Sequence, residues 1–306
     1  MGGTDIPCGC VEGLECVRSS KKYKIPGVCQ VPKPKPKPYL GLPPEAALVV
    51  LTSVLGASAN WLVQRCLYSL LRSRQRGGAG ADDVGDGVEG HDVGVVLVSF
   101  MRDGAFWRDG ASRLGLDLDA LRRAGKFTFV DGLTGLVVPA SPDARDRVLQ
   151  SPELEDVRKG IEAAIAEVRA SRTVLIVDQI DTLLAVTNPS DTVTSLSVQN
   201  MLLSLRERVH ATILTLAADD PLLHPQTTSL EREHAALVLS QLHTAQTVMA
   251  LRMLDTGAAK DVSGVVRITA RGDDVEEGGR AVAEGDGEYL YYVAGDGSVR
   301  VFERGT

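Results

Sequence analysis

The chain has 306 residues and a formal net charge of −7, with 44% apolar and only 4% aromatic residues. This length allows one large or two modest domains, and the apolar share is ordinary for a soluble globular protein. The acidic balance argues against a stand-alone nucleic-acid-binding protein, which usually carries a basic face. No uninterrupted apolar run approaches the roughly 18 residues of a membrane span, and the N-terminus has no apolar core of a secretory signal.

The N-terminal segment, residues 1–30, differs from the rest of the chain. It contains four of the five cysteines: Cys8, Cys10, Cys16 and Cys29. Such density is compatible with disulfide bonds among the four, for which three pairings exist, but cytosolic thiols stay reduced. The spacing is also unlike the paired spacing of zinc sites. An appended segment without a catalytic role, a disulfide module and a metal site all remain open.

Residues 31–38, VPKPKPKP, separate that segment from the main domain. Alternating lysine and proline cannot form a helix or a strand ladder, and favours an extended polyproline linker. The main domain is therefore expected to span residues 39–306. The fifth cysteine, Cys66, lies within a helical pattern and is expected to be a buried thiol.

Alternating strand and helix patterns fill the main domain. Continuous apolar runs and β-rich segments predict strands at 46–52, 94–100, 126–130, 173–177, 211–216, 235–242, 247–254, 264–269, 289–293 and 299–302. Helical spacing predicts helices at 61–70, 105–114, 118–124, 151–169 and 193–209. Asp296-Gly297 is a hairpin turn signal. The order predicts an α/β fold with a mostly parallel sheet, flanking helices and C-terminal antiparallel hairpins.

The first strand, turn and helix have the layout of a phosphate-binding loop, G-x-x-x-x-G-K-[ST]. In that alignment Ser53 and Ser58 stand at the glycine positions, Ala59 at the lysine position and Asn60 at the hydroxyl position. Ala59 supplies no positive charge and Asn60 is a poor magnesium ligand. The sequence therefore predicts a degenerate loop, in which Ser58 or Asn60 caps the helix instead.

A second nucleotide-type pattern is the strand that ends in Asp178, where such an acid would hold a metal ion. The next residue, Gln179, offers no carboxylate to activate water. Asp178 is more simply read as a hydrogen-bond acceptor for a nearby loop. Ser99 and Asp131 also follow strands, so the three side chains could line one cleft at the carboxyl edge of the sheet.

Arginines and histidines give weaker signals. One basic group follows the first helix and could complement its dipole or touch RNA: Arg72, Arg74 and Arg76. Another follows the second strand and could complete a neighbouring subunit's site: Arg102, Arg108 and Arg113. The histidines show no metal-binding spacing: His91, His210, His224, His234 and His243. No catalytic residue, metal site or cofactor is predicted.

Three stretches together resemble Elongator complex subunit 6: PYLGLPPEAALVVLTSVLGASANWLV, VVLVSFMRDGAFWRDGASRLGLDLDALRRAGKFTFVDGLTGL and TVLIVDQIDTLLA. The most specific phrases are FVDGLTGL, residues 129–136, and the glycine-poor loop region. The resemblance covers about residues 38–306, whereas residues 1–37 depart from the family pattern. It implies a RecA-like fold without working nucleotide motifs.

The resemblance also implies a function. Members of this family assemble with Elongator subunits 4 and 5 into a hetero-hexameric ring, which binds tRNA and supports modification of the wobble uridine by the catalytic subunits. The chain would then be non-catalytic alone and work in the cytoplasm, with the nucleus as a second compartment. The alternative is a divergent RecA-like ATPase with an atypical phosphate loop.

Overall fold

The computed structural model describes residues 15–17, 28–30, 39–72, 92–137, 146–187, 193–254, 259–271 and 287–303. The chain divides into two compact units, Met1–Tyr39 and Leu40–Thr306. No helix in these described ranges is both long enough and apolar enough to cross a membrane.

The first unit contains a short antiparallel pair, β1 (Glu15–Val17) and β2 (Val28–Gln30). The backbone of Cys16 is the register partner of Cys29 in this pair. The side chains of all four N-terminal cysteines lie outside what the structure describes, and so do the disulfide prediction and the Lys-Pro linker. The three interpretations of the segment remain open.

The second unit is built on one ten-stranded sheet in the order β12-β11-β10-β9-β3-β8-β7-β4-β5-β6. Its strands are β3 (Leu48–Ser53), β4 (Val93–Ser99), β5 (Phe127–Asp131), β6 (Arg147–Val148), β7 (Arg172–Asp178), β8 (Ala211–Ala217), β9 (Thr247–Arg252), β10 (Gly264–Ala270), β11 (Gly287–Val293) and β12 (Val299–Glu303). Pairing is parallel from β9 to β6 and antiparallel from β9 to β12. The predicted mostly parallel sheet with C-terminal antiparallel strands is confirmed.

Helices connect the parallel strands. They are α1 (Asn60–Leu71), α2 (Gly104–Arg113), α3 (Leu118–Arg123), α4 (Thr134–Val137), α5 (Leu154–Glu167), α6 (Thr182–Val186), α7 (Ser195–Arg206), α8 (Asp220–Leu223) and α9 (Ser229–Thr244). Side chains that accept backbone N–H groups fix several starts. Asp103 and Asp117 cap α2 and α3, while Thr194 and Thr228 form capping boxes at α7 and α9.

The core is mostly aliphatic, with a few buried aromatic side chains, of which Trp107, Tyr291 and Phe100 are the largest. Every residue of β3, β4 and β5 is buried, as expected for strands covered on both faces. Helices α5, α7 and α9 bury Ile161, Leu202 and Leu237 in one cluster with these strands. Helix α1 also buries Cys66, as predicted, and burial raises the pKa of its thiol to about 12. That thiol is therefore inert at neutral pH.

Two predicted elements need correction. The strand expected at 235–242 lies inside α9, because the Thr228–Glu231 capping box starts a helix there and its apolar residues recur at helical spacing. The helix expected from residue 151 begins only at Leu154. The Ser151 hydroxyl instead accepts the Glu153 N–H in the preceding turn, at 3.2 Å.

Candidate functional site

The parallel register brings the strand ends together at one edge of the sheet, called here the carboxyl edge. Ser99 of β4 lies between Asp131 of β5 and Asp178 of β7. On the other side, Ser53 of β3 is the register partner of Ala217 of β8. This edge is where an open α/β sheet usually carries its ligand, so it is the candidate site.

The loop between β3 and α1 is a tight turn. The Ala57 N–H donates to the Val54 carbonyl at 2.9 Å, and the two residues form an isolated antiparallel bridge. Gly56 has φ +91°, a left-handed conformation that favours glycine, and a side chain there would collide with Met253. Leu55, at the tip of the turn, is 90% exposed.

Three backbone amides of this loop, those of Leu55, Ala57 and Asn60, donate to acceptors within the chain. The Leu55 N–H donates to Oδ1 of Asp219 at 2.7 Å, and the Asn60 N–H donates to the Ser58 hydroxyl at 3.2 Å. A phosphate-binding loop must direct such amides towards the ligand. Here a carboxylate of the chain occupies one of them, which opposes the approach of a second anion.

The remaining loop positions offer no substitute. Ala59, at the lysine position, is the N-cap residue of α1, makes no side-chain cap and is buried. The prediction that Ser58 or Asn60 caps the helix is wrong, because Ala59 is the N-cap residue and Asn60 is the first residue of α1. The Ser58 hydroxyl only accepts the Asn60 N–H in the preceding turn. Ser53 accepts a hydrogen bond from Nε2 of Gln179 at 3.3 Å. Ser53, Ser58, Ala59 and Asn60 lie together on the strand–turn–helix, as their spacing predicts.

Asp178 is held by hydroxyl groups from both neighbouring strands. The Ser99 hydroxyl donates to its Oδ2 and the Thr215 hydroxyl donates to its Oδ1, each at 2.7 Å. The residue is only 2% exposed. Burial raises the pKa of Asp178 above its ordinary value, whereas the two hydroxyls and the charge of Arg102 act in the opposite direction. The carboxylate thus joins β4, β7 and β8 at their ends.

The two hydroxyls extend this network to the backbone. Ser99 also accepts the Arg102 N–H at 3.0 Å, and Thr215 accepts the Gln179 N–H at 2.9 Å. Gln179 has φ +57°, which places it in a conformation uncommon for a residue with a side chain. Each hydroxyl therefore accepts a backbone N–H and donates its own proton to the carboxylate. The network thereby fixes the loops that follow β4 and β7.

Asp131 lies beside Ser99 but serves its own loop. Its Oδ1 accepts the N–H groups of Leu133 and Thr134 at 2.9 and 2.7 Å, and its Oδ2 accepts the Thr134 hydroxyl at 2.6 Å. These contacts start the short helix α4. Ser99, Asp131 and Asp178 are thus adjacent at the carboxyl edge, and both carboxylates accept hydrogen bonds from the chain.

Sequence reasoning missed a buried pair next to this edge. Asp181 and His234 are 6% and 4% exposed, and Nδ1 of His234 lies 3.7 Å from Oδ2 of Asp181. Nε2 of His234 lies 2.9 Å from the Ala217 carbonyl. Burial raises the pKa of Asp181 to about 6, opposed by the charge on His234. The pair connects the start of α6 to α9. In the sequence, the only indication of it is the second aspartate of VDQID, Asp181.

Asp219 was also missed, although Asp219-Asp220-Pro221 is a recognisable helix start. Its partner Leu55 is 164 positions away in the sequence. Local pattern indicates the helix start, whereas the contact arises because β8 is the neighbour of β3 in the sheet.

The candidate arginines make contacts within the chain. Nη1 of Arg108 lies 2.9 Å from both carboxylate oxygens of Asp146. Arg113 pairs with Asp109 at 2.8 Å. The guanidinium groups of Arg102 and Arg72 lie over the rings of Phe106 and Tyr68. Arg74 and Arg76 fall outside the described residues.

The described histidines are dispersed. Nε2 of His210 lies 3.0 Å from the Pro43 carbonyl, and Nδ1 of His224 lies 2.5 Å from Asp220. His243 is exposed near the end of α9, and His91 lies outside the described residues. Within the described ranges no three His, Cys, Asp or Glu side chains are grouped in a way that could hold a metal ion.

Comparisons with known proteins bear on both fold and family. The model of the family described as Elongation complex protein 6 matches residues 91–284. Among solved structures, a KaiC-like protein from the hyperthermophilic archaeon Pyrococcus horikoshii is similar at a TM-score of 0.52 and 16% identity, covering 85% of this chain and 91% of that one. At this identity the likeness supports the RecA-like fold alone. No curated protein matches the chain.

Proposed function

Because the chain belongs to the Elongation complex protein 6 family, we propose that it acts as a non-catalytic subunit of the Elongator complex. In this proposal it assembles with Elongator subunits 4 and 5 into a RecA-like hetero-hexameric ring. The ring binds tRNA and supports modification of the wobble uridine by the catalytic subunits, in the cytoplasm and the nucleus. The chain itself needs no cofactor.

The observation that carries the non-catalytic assignment is the occupied carboxyl edge. Asp219 accepts the loop amide of Leu55, and Asp178 accepts two hydroxyl groups. The lysine and hydroxyl positions of a phosphate loop hold Ala59 and Asn60. Phosphoryl transfer depends on a positive charge and a bound magnesium ion in these places. A chain with this edge has the RecA-like fold but lacks the groups that phosphoryl transfer requires.

Exposed apolar side chains at the same edge support assembly. Leu55 is 90% exposed, and Met101 and Met253 are 43% and 40% exposed. They follow β3, β4 and β9, which run parallel and therefore end on one side. Fully burying one such side chain contributes roughly 1.5–3 kcal/mol. A partner chain that covers these residues would gain most of that contribution at Leu55 and less than half of it at each methionine.

The fold is compatible with the alternative, a divergent RecA-like ATPase. The arrangement of side chains at the carboxyl edge does not support it. In such an ATPase, the phosphates of ATP would have to displace the Asp219 carboxylate from the Leu55 N–H. No lysine stands in the loop to neutralise their charge. Calorimetric titration of the purified chain with ATP and magnesium distinguishes the two proposals, because the ATPase must bind its substrate.

Co-expression with Elongator subunits 4 and 5 tests the proposed assembly. The three proteins should elute from size exclusion as one species with a mass near that of two copies of each. Omission of this chain should abolish that species. Elution of this chain as a separate monomer, beside a complex of the other two, would refute the proposal.

A further inference from the structure

A groove with a volume of about 310 Å³ lies between α1, α2 and the turn that joins β11 to β12. We call it the α1–α2 groove. Its walls include the apolar side chains of Trp61, Phe106 and Leu114 and the charged side chains of Arg65, Asp109 and Arg113. Arg113 and Asp109 pair with each other. The groove is separate from the cluster of Ser99, Thr215 and Asp178, none of which lines it.

Among the described residues, one cation and one hydrogen-bond acceptor of this groove have no partner. Arg65 is partly buried and makes no ion pair or hydrogen bond with the described residues. Gln64 is 8% exposed and donates through Nε2 to the Trp107 carbonyl at 3.3 Å, but its Oε1 has no partner there. Buried polar atoms without partners are rare, because each costs about 1–3 kcal/mol. The groove thus presents a positive charge and a hydrogen-bond acceptor.

The walls of the groove are fixed in place. The Trp61 ring packs against Tyr291 with centroids 4.9 Å apart. A side chain at Gly110 would collide with the Gln64 amide, so α1 and α2 approach closely. Gly297, at φ +83°, sets the β11–β12 turn beside Arg113. A pre-formed groove binds with little loss of conformational entropy.

These features together favour a peptide as the ligand of the groove. A carboxylate would pair with Arg65, an N–H donor would satisfy Oε1 of Gln64, and an apolar body would cover Phe106 and Leu114. An Asp or Glu residue beside an apolar residue in an extended segment provides all three groups. A simple aliphatic acid provides no N–H donor.

We propose that the α1–α2 groove binds an extended segment of a neighbouring subunit, with an acidic side chain on Arg65 and an adjacent apolar side chain against Phe106. This inference rests on the proposed assembly with subunits 4 and 5, and the groove begins at Asn60, the first residue of α1, beside the carboxyl edge. It predicts that the docked segment belongs to one of those subunits and carries an Asp or Glu residue.

Photo-crosslinking in the co-expressed complex tests the groove. The probe is p-benzoylphenylalanine in place of Phe106, with the same probe at the exposed Leu239 of α9 as the control position. The expected result is a crosslink from position 106 to a segment of subunit 4 or 5 that contains Asp or Glu. Adding Arg65→Gln should reduce its yield about tenfold, as expected for loss of a charge-assisted hydrogen bond, whereas the exposed matched change Arg123→Gln should not.

The outcomes separate the two proposals. A complex that assembles normally, yet gives no crosslink at position 106 above the control or one indifferent to Arg65→Gln, overturns the groove proposal alone. Failure of the three proteins to assemble overturns the proposed function and the groove proposal with it. Circular dichroism of the Arg65→Gln variant must match the wild type, so that lost crosslinking reports on the contact.

Discussion

Replacement of Asp178 measures how much its carboxylate stabilises the sheet edge. Asp178→Ala removes the acceptor of two hydroxyl groups, each 2.7 Å away. The hydroxyls of Ser99 and Thr215 also accept backbone N–H groups, so the substitution leaves two positioned hydroxyl protons without the acceptor that they have in the folded chain. A hydrogen bond to a charged group contributes about 1.5–3 kcal/mol, and release of a buried charge offsets part of the loss. The expected decrease in the free energy of unfolding is about 3 kcal/mol.

Asp178→Asn refines this prediction because it keeps the size of the side chain. The amide oxygen can accept from one hydroxyl, so the expected decrease is only about 1 kcal/mol. Urea unfolding followed by far-UV circular dichroism gives both values. The exposed Asp261→Asn change is the matched control and should stay within about 0.5 kcal/mol of wild type. If Asp178→Ala also stayed within that margin, Asp178 would not hold the strands together.

Three further predictions concern neighbouring residues. Burial raises the pKa of Asp181 to about 6 in the folded chain, so folding retains a proton there that the unfolded chain releases, and stability falls as pH rises from about 4 to about 6. Asp181→Asn should remove up to about 3 kcal/mol of that fall, and identical pH profiles by thermal unfolding would contradict this. Leu55→Asp should leave the free energy of unfolding within about 0.5 kcal/mol but reduce co-purification with subunits 4 and 5; undiminished recovery would remove Leu55 from the interface. Asp219→Ala should cost about 1 kcal/mol in urea unfolding without creating ATP binding, and an ATP heat from this variant would show that Asp219 alone blocks the loop.

Much of the fold follows from local pattern. The uninterrupted apolar runs of β3 and β4 require burial on both faces, and both strands are buried throughout. The Asp296-Gly297 turn signal coincides with φ +83° at Gly297, between β11 and β12. Helix α9 was missed because its residues 235–242 are mostly apolar, and a short apolar run does not by itself separate helix from strand.

The contacts of the candidate site were harder to predict from the sequence than the fold was. The spacing of Ser53 to Asn60 indicated a loop without a lysine or hydroxyl ligand, but it could not reveal that Asp219 accepts the Leu55 amide. The Asp181–His234 pair likewise depends on packing between α6 and α9. Such contacts join distant parts of the chain and carry no local signature. They become visible only once strand order is known.

The chain's own side chains occupy the edge of the sheet where a RecA-like enzyme would bind nucleotide. Isothermal titration of the purified chain with ATP and magnesium tests this occupancy most directly, with an intact RecA-like ATPase as the positive control. No saturable heat is expected, because Ala59 supplies no charge and the Leu55 N–H donates to Asp219. A saturable heat that depends on magnesium and disappears in the Asp178→Asn variant would show instead that this edge still binds nucleotide.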